Sequence, residues 1–186
     1  MSIPNLITFA RLLAVPFAIY LILQQELGWA FWLFVAAGLS DALDGAIARL
    51  FQMQTKLGAW LDPIADKALL VSVYLSLAHI NELPLWLAIL VVFRDALIVG
   101  GVLLAQVLKE PLAMQPLAVS KLNTAMQIAL VAAVLAPPGL NLPDPQAFGV
   151  ALVTPMVWLA AATTVASGAA YLWRGYLLFE RHGRAG

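Results

Sequence analysis

Apolar residues along the chain form six long runs separated by short polar connections. The runs cover approximately residues 7–23, 29–51, 57–78, 85–108, 117–136 and 150–179. A helix needs roughly 20 apolar residues to cross a bilayer core. The pattern therefore predicts an all-α membrane protein with six transmembrane helices in one bundle. Because no repeat or linker divides the chain, we predict a single integral-membrane domain over residues 1–186.

Composition supports a membrane protein. Hydrophobic residues make up 63% of the chain and charged residues 11%, whereas soluble domains carry about 25% charged residues. The net charge is zero, so no basic field indicates a nucleic-acid partner. The chain has no cysteine, which excludes disulfides and thiolate metal sites. Its first residues have no signal-peptide or transit-peptide pattern, so we expect a bacterial inner (plasma) membrane.

Basic residues predict the orientation. The connections near residues 24–28, 79–84 and 137–149 contain no lysine or arginine. The other side carries Arg49, Lys56, Lys109, Arg174, Arg181 and Arg184. The positive-inside rule makes that second side cytoplasmic. With six crossings, both termini then also lie in the cytoplasm.

Four aspartates interrupt the second and third apolar runs. Asp41 and Asp44 are three residues apart and Asp62 and Asp66 are four apart, so each pair shares one face of a helix. A turn near residues 52–56 folds the two runs together, and we predict that all four carboxylates converge. Seven residues separate Asp44 from the end of its run, which places the cluster about 10 Å inside the cytoplasmic boundary. Charged residues within spans are costly and usually functional, although structural ion pairs with Arg49 or Lys67 are an alternative.

Such a cluster suits divalent metal ions. Four adjacent carboxylates cannot all stay ionised in a low-dielectric site without cations, and oxygen ligands favour Mg²⁺ or Mn²⁺. Two ions would balance the charge and leave coordination positions for phosphate oxygens. Gly45, Gly58 and Ala48 leave room for a nucleotide to approach the backbone. Arg49 can pair with a phosphate or with one of the aspartates.

The residues Asp41-Ala-Leu-Asp44-Gly45-Ala-Ile-Ala48-Arg49, followed by Gly58, Asp62 and Asp66, resemble the signature of the CDP-alcohol phosphotransferase family at every fixed position. Asn5 and Thr8 lie in a segment similar to the family's lead into the first helix, and we expect them to contribute to nucleotide binding. The resemblance implies six helices, a homodimer, two divalent metal ions and release of CMP. It also implies that the four aspartates are metal ligands and that Asp66 is the general base.

The signature leaves the acceptor alcohol open. Arg94-Asp95, the segment from Ser120 to Gln127 and the residues around Lys67 resemble the CMP-forming cardiolipin synthases of this family. The implied substrates are CDP-diacylglycerol and phosphatidylglycerol, both lipids. Phosphatidylglycerolphosphate synthases, which use glycerol 3-phosphate, usually carry a second lysine where this chain has Asn123. The phosphodiester of phosphatidylglycerol carries one negative charge, whereas the phosphomonoester of glycerol 3-phosphate carries nearly two. A pocket with one cation fewer therefore suits phosphatidylglycerol.

We therefore expect four residues to bind the acceptor phosphate. They are Lys67, Arg94, Lys121 and Asn123. Arg94 could instead form a structural pair with Asp95, and Lys121 could be an interfacial lysine that reaches towards the membrane surface. The same basic set could also bind a phosphomonoester, so phosphatidylglycerolphosphate synthesis is the alternative reaction.

A divalent-cation transporter is the alternative of another class. Transporter sites usually lie near the bilayer midplane between repeated halves. Here the aspartates lie towards one face, and no halves repeat. The pattern therefore favours an enzyme.

Overall fold

The computed structural model describes the backbone of residues 3–50, 56–107 and 118–183, and the side chains of residues 9–40, 65, 67–101 and 118–175. Within these ranges every regular element is a helix. The helices are α1 (Ile3–Leu23), α2 (Leu27–Leu50), α3 (Lys56–His79), α4 (Leu85–Val107), α5 (Ala118–Gly139), α6 (Pro145–Phe148) and α7 (Thr154–Gly183), with a π-helical segment (Gly149–Val153) between α6 and α7. Helix α1 packs against α2 and α3, α4 packs against α3 and α7, and α5 packs against α2 and α7.

Each of the six apolar runs forms a helix, and several helix ends lie a few residues beyond the predicted ones, such as the start of α1 at Ile3 instead of residue 7. The fifth run was predicted to end at residue 136, before Pro137 and Pro138, but α5 continues to Gly139. The carbonyl groups at the end of α5 still find hydrogen-bond donors beyond the two prolines. The amide of Leu140 donates to Ala136 O at 2.8 Å, and that of Leu142 donates to Pro137 O at 3.0 Å. The sixth run begins earlier than predicted, because Asp144 caps α6 by accepting from the Ala147 amide at 2.9 Å, just before Pro145.

Three short connections share one backbone feature. Gln25, Asn81 and Asn141 each adopt a positive φ, at 60°, 65° and 51°. Each follows the end of a long helix, where a left-handed residue turns the chain out of the helical path. Asparagine tolerates this region better than most residues. All three turns lie in the connections that lack lysine and arginine.

Apolar side chains are divided between a packed interior and an exposed outer surface. Tyr74, Ile22, Leu87 and Leu130 are fully buried between the helices. Large apolar side chains also cover the outside, including Trp29, which is 70% exposed. A soluble monomer rarely exposes so much apolar surface, which supports a membrane environment.

Two helices in the described part are long and apolar enough to cross a membrane. They are Ala118–Gly139 and Pro145–Gly175. Elsewhere the described apolar stretches are shorter, as in Phe9–Leu23 and Lys67–His79. The all-helical architecture is therefore confirmed for the described residues, while six membrane crossings stay a prediction.

Helices α2 and α5 pack closely at one end and separate at the other. A Cβ placed on Gly28 would lie 3.1 Å from the carbonyl oxygen of Pro138, and the ring of Phe31 covers Gly139 directly. Ten residues further along α2, a Cβ on Gly38 would meet no described atom within 4 Å. The space beside Gly38 belongs to a cleft that lies next to the aspartate segments.

Candidate active site

Helices α2 and α3 carry the four aspartates. Asp41 and Asp44 lie in the second half of α2, and Asp62 and Asp66 in the first half of α3. Their helical setting is as predicted, whereas their side chains lie outside the described residues. The convergence of the carboxylates therefore stays a prediction. Among the described residues, no group of three or more His, Cys, Asp or Glu side chains could hold a metal ion.

The other residues predicted for nucleotide binding also have side-chain positions outside the described part. They are Asn5, Thr8, Gly45, Ala48, Arg49 and Gly58, all on helices α1 to α3. The first three helices thus provide the backbone of the entire predicted donor site. Because α1 packs against both α2 and α3, it joins the two helices that carry the aspartates.

A cleft of about 340 Å³ lies next to the aspartate segments. Helices α1 to α5 all contribute to it, and most of its wall is apolar, including Phe34 and Leu70. Its polar side chains are Arg11, Lys67, Asp95, Thr124 and Gln127. Gly38 in its wall precedes Asp41 by one helical turn, about 4.5 Å along the axis, and Lys67 directly follows Asp66. A molecule in this cleft would therefore lie beside the helical segments that carry both pairs of aspartates.

Lys67 and Arg94 meet at one carboxylate. Lys67 Nζ lies 2.8 Å from Asp95 Oδ2, and Arg94 Nη1 lies 2.6 Å from Asp95 Oδ1. The Asp95 and Arg94 side chains are 9% and 3% exposed, whereas that of Lys67 is 39% exposed. Two cations that share one carboxylate give this group a formal net charge of +1.

Arg94 is held by two further helices. Its Nη2 donates to Ser120 Oγ of α5 at 2.5 Å and to Ser167 Oγ of α7 at 2.6 Å, and its Nε lies 3.2 Å from Ser167 Oγ. Every guanidinium nitrogen therefore has a protein partner. This satisfies the hydrogen-bonding needs of a buried arginine. Arg94 does not line the cleft, whereas Lys67 and Asp95 do.

The remaining residues predicted for the acceptor phosphate lie apart from this group. Lys121 is exposed on α5. Asn123 is fully buried between α5 and α7, where its Oδ1 accepts from Thr163 Oγ1 and Thr164 Oγ1 at 2.9 and 2.8 Å. No hydrogen bond between described residues links either of them to Lys67 or Arg94. The structure thus brings Lys67 and Arg94 together, and it places Asn123 in helix packing.

A second polar contact chain runs beside Asn123. Gln127 Nε2 lies 3.4 Å from Thr164 Oγ1, and the Tyr74 hydroxyl donates to the Gln127 carbonyl oxygen at 3.2 Å. These contacts join α3, α5 and α7 next to the cleft. They fix the wall from which Gln127 faces the cavity.

Comparison with known proteins identifies the family. The profile of the CDP-alcohol phosphatidyltransferase family matches residues 1–166. The chain belongs to this family. The resemblance drawn from the aspartate spacing is thereby confirmed, and the matched CDP-alcohol phosphatidyltransferase region contains the aspartates and the whole cleft.

Several curated relatives are similar over most of the chain. Cardiolipin synthase (CMP-forming) of Rattus norvegicus is 34% identical over 184 residues, which cover 90% of this chain and 59% of the relative. The protein of the same name in Homo sapiens is 33% identical, covering 94% of this chain and 62% of its own. A chloroplastic CDP-diacylglycerol–glycerol-3-phosphate 3-phosphatidyltransferase of Oryza sativa subsp. japonica is 32% identical, and the match covers 92% of this chain and 56% of that relative. The chain thus spans less than two thirds of the length of these relatives.

Sequence reasoning missed one residue that holds Arg94 and one that lines the cleft. Ser167 had no signal, because it lies 73 residues from Arg94 and just beyond the matched region. No role was predicted for Arg11, which follows Asn5 and Thr8 on the first helix, yet it is buried and lines the cleft. The pairing of Arg94 with Asp95, foreseen as the alternative for Arg94, is confirmed.

Proposed function

We propose that the chain transfers the phosphatidyl group of CDP-diacylglycerol to phosphatidylglycerol, forming cardiolipin and CMP. Family membership supports the donor and the reaction type. Rat and human relatives named CMP-forming cardiolipin synthases support cardiolipin as the product, and therefore phosphatidylglycerol as the acceptor. The observation that carries the proposal is the largely apolar cleft beside the aspartate segments, with Arg11 and Lys67 in its wall, because such a cleft suits a lipid with an anionic head group.

The four aspartates suit two divalent ions, Mg²⁺ or Mn²⁺, by the chemistry of the donor set. Asp41, Asp44, Asp62 and Asp66 offer only hard oxygen ligands, from two helices that flank the cleft. When bound there, the ions would neutralise the diphosphate of the donor and the developing charge on CMP. Asn5, Thr8 and Arg49 are proposed to bind the nucleotide, with Gly45, Ala48 and Gly58 leaving space for it.

The chain's own residues position the acceptor and move one proton. Asp66 takes the proton from the terminal hydroxyl of phosphatidylglycerol, and that oxygen attacks the phosphorus that carries the diacylglycerol. The new phosphoester bond forms as the bond from this phosphorus to the CMP oxygen breaks. Lys67, next to Asp66, lines the cleft and can contact the acceptor phosphate there. Arg94, Lys121 and Asn123 are the further residues predicted for this phosphate.

Phosphatidylglycerolphosphate synthesis is the second candidate reaction. The rice relative of similar identity is named for transfer to glycerol 3-phosphate. The cations of the cleft could also bind a phosphomonoester. Charge weakly favours phosphatidylglycerol over glycerol 3-phosphate. The Lys67–Asp95–Arg94 group balances one negative charge, whereas glycerol 3-phosphate carries nearly two.

Location and assembly follow from the same reasoning. We propose a multi-pass protein of a bacterial inner membrane, with the aspartates and both termini on the cytoplasmic side. Both lipid substrates would then come from the cytoplasmic leaflet. A homodimer is the assembly implied by the family resemblance.

The test supplies purified protein with CDP-diacylglycerol and Mg²⁺ and offers each acceptor separately. The expected result is CMP and cardiolipin with phosphatidylglycerol, and little turnover with glycerol 3-phosphate. The Asp66→Asn variant is the control for contaminating activity. Phosphatidylglycerol phosphate as the main product would replace the proposal with the second candidate, and no CMP with any alcohol would overturn the donor assignment.

A further inference from the structure

A line of polar side chains crosses the bundle from α7 to the cleft. Ser167 and Ser120 hold Arg94, Arg94 holds Asp95, and Asp95 holds Lys67. We call these five residues the cation clamp. Exposure rises along it, since the side chains of Arg94, Asp95 and Lys67 are 3%, 9% and 39% exposed. The clamp therefore has a buried end and an end in the cleft.

The two cations have different positions in the clamp. Arg94 is buried, its guanidinium nitrogens are all engaged by protein oxygens, and it is absent from the lining of the cleft. Lys67 lines the cleft, and its ammonium group has one carboxylate partner at 2.8 Å. An ammonium group has three donors, so Lys67 can bind a phosphate oxygen while it keeps Asp95. Arg94 is 3% exposed and does not line the cleft, so its guanidinium does not face a phosphate bound there.

A half-exposed lysine is a poor phosphate ligand unless its position is fixed. Its side chain has many rotamers, and an exposed ion pair alone does little to select one. Asp95 can fix Lys67 only if Asp95 itself is held. Arg94 provides that support, because its planar guanidinium reaches Asp95 and both serines at once.

We infer that Lys67 is the residue that contacts the acceptor phosphate, and that Arg94, Ser167 and Asp95 are positioning residues acting through it. This inference rests on the proposed phosphatidyl transfer and specifies how its acceptor is held. Ser167 thereby gives α7 a role in acceptor binding. The donor would be bound by other residues, so the clamp affects the KM for the acceptor and leaves the KM for CDP-diacylglycerol unchanged.

The experiment is a double-mutant cycle on the full chain in mixed micelles. Ser167→Ala removes both hydrogen bonds from Arg94 to Ser167, and it should raise the acceptor KM by about threefold to tenfold, because only part of this loss reaches Lys67 through Arg94 and Asp95. Ser167→Thr keeps the hydroxyl and should restore most of the affinity. Ser76→Ala is the matched control, because Ser76 is a buried helical serine outside the clamp, 6% exposed; its kinetic constants should equal those of the wild type.

Coupling to Lys67 decides between positioning and direct contact. In a Lys67→Met background, Ser167→Ala should change the acceptor KM less than twofold, because the side chain that it positions is gone. An equal increase with and without Lys67 would mean that Arg94 contacts the phosphate itself, which overturns the inference. An unchanged acceptor KM in Ser167→Ala alone would overturn it too.

Two provisions keep the result decisive. If Ser167→Ala does not yield folded protein, the same cycle is run with Asp95→Asn, which retains the shape of the side chain and removes its charge. The cycle uses whichever alcohol the wild-type protein turns over. Turnover of glycerol 3-phosphate alone would end the cardiolipin proposal, while the cycle would still test the clamp.

Discussion

Filling the cleft at Gly38 should separate activity from stability. A Cβ at this position meets no described atom within 4 Å, and Gly38 lies in the cleft wall one turn before Asp41. In Gly38→Leu the new side chain enters empty space in the free protein. Replacing a helical glycine is favourable by up to about 1 kcal/mol. The melting temperature should therefore equal or exceed that of the wild type.

The effect on activity arises when a lipid occupies the cleft. A displaced lipid returns to the bilayer and not to water, so loss of hydrophobic burial is not the main cost. The cost is overpacking, typically about 1–3 kcal/mol when extra methylene groups enter filled space. At 1.4 kcal/mol per factor of ten, the apparent KM for the lipid in the cleft should rise by about 5- to 150-fold.

The assay measures CMP release against each lipid, together with the thermal melt in the same detergent. Gly100→Leu is the matched control, because Gly100 is a helical glycine of α4 with no described atom within 4 Å of its added Cβ and no place in the cleft wall. It should keep wild-type KM values. Wild-type KM values for both lipids in Gly38→Leu would refute the reasoning that a substrate occupies the cleft.

The remaining predictions concern the aspartates and the orientation. Chelation of divalent ions should abolish CMP release and Mg²⁺ or Mn²⁺ should restore it; full turnover in metal-free buffer would exclude the metal site. Asp66→Asn should lower kcat by about 10²–10⁴-fold, the usual contribution of a general base, and near-normal kcat would remove Asp66 from the mechanism. A cysteine replacing Gln54 should react with an impermeant reagent only from the cytoplasmic side and one replacing Asn141 only from the other, and swapped labelling would invert the orientation.

Helices were predictable from the sequence because each apolar run is long and ends in a polar connection. The positions of their ends depended on local hydrogen bonds that hydropathy does not contain. Asp144 starts the last helical stretch before the apolar run begins. Pro137 and Pro138 fit into the last turn of α5, because the amides that follow them still find carbonyl partners.

The candidate site was predictable to different degrees. Fixed spacing identified the family, because the aspartates lie close together in sequence on two consecutive helices. The acceptor side depends on long-range packing. Lys67, Arg94 and Ser167 come from three helices, and spacing could not indicate that Asp95 joins the two cations or that Ser167 holds Arg94. Asn123 looked like a site residue because of its neighbours in sequence, yet its side chain contacts Thr163 and Thr164.

Isotope labelling of the lipid product tests most directly the central proposal, which is transfer of the phosphatidyl group from CDP-diacylglycerol to phosphatidylglycerol. Purified protein receives unlabelled CDP-diacylglycerol and phosphatidylglycerol with deuterated acyl chains, with glycerol 3-phosphate present at equal concentration. We predict cardiolipin in which two of the four acyl chains are deuterated, formed in a one-to-one ratio with CMP. Phosphatidylglycerol phosphate as the main product, or cardiolipin with four deuterated chains and no CMP, would contradict transfer from CDP-diacylglycerol to phosphatidylglycerol.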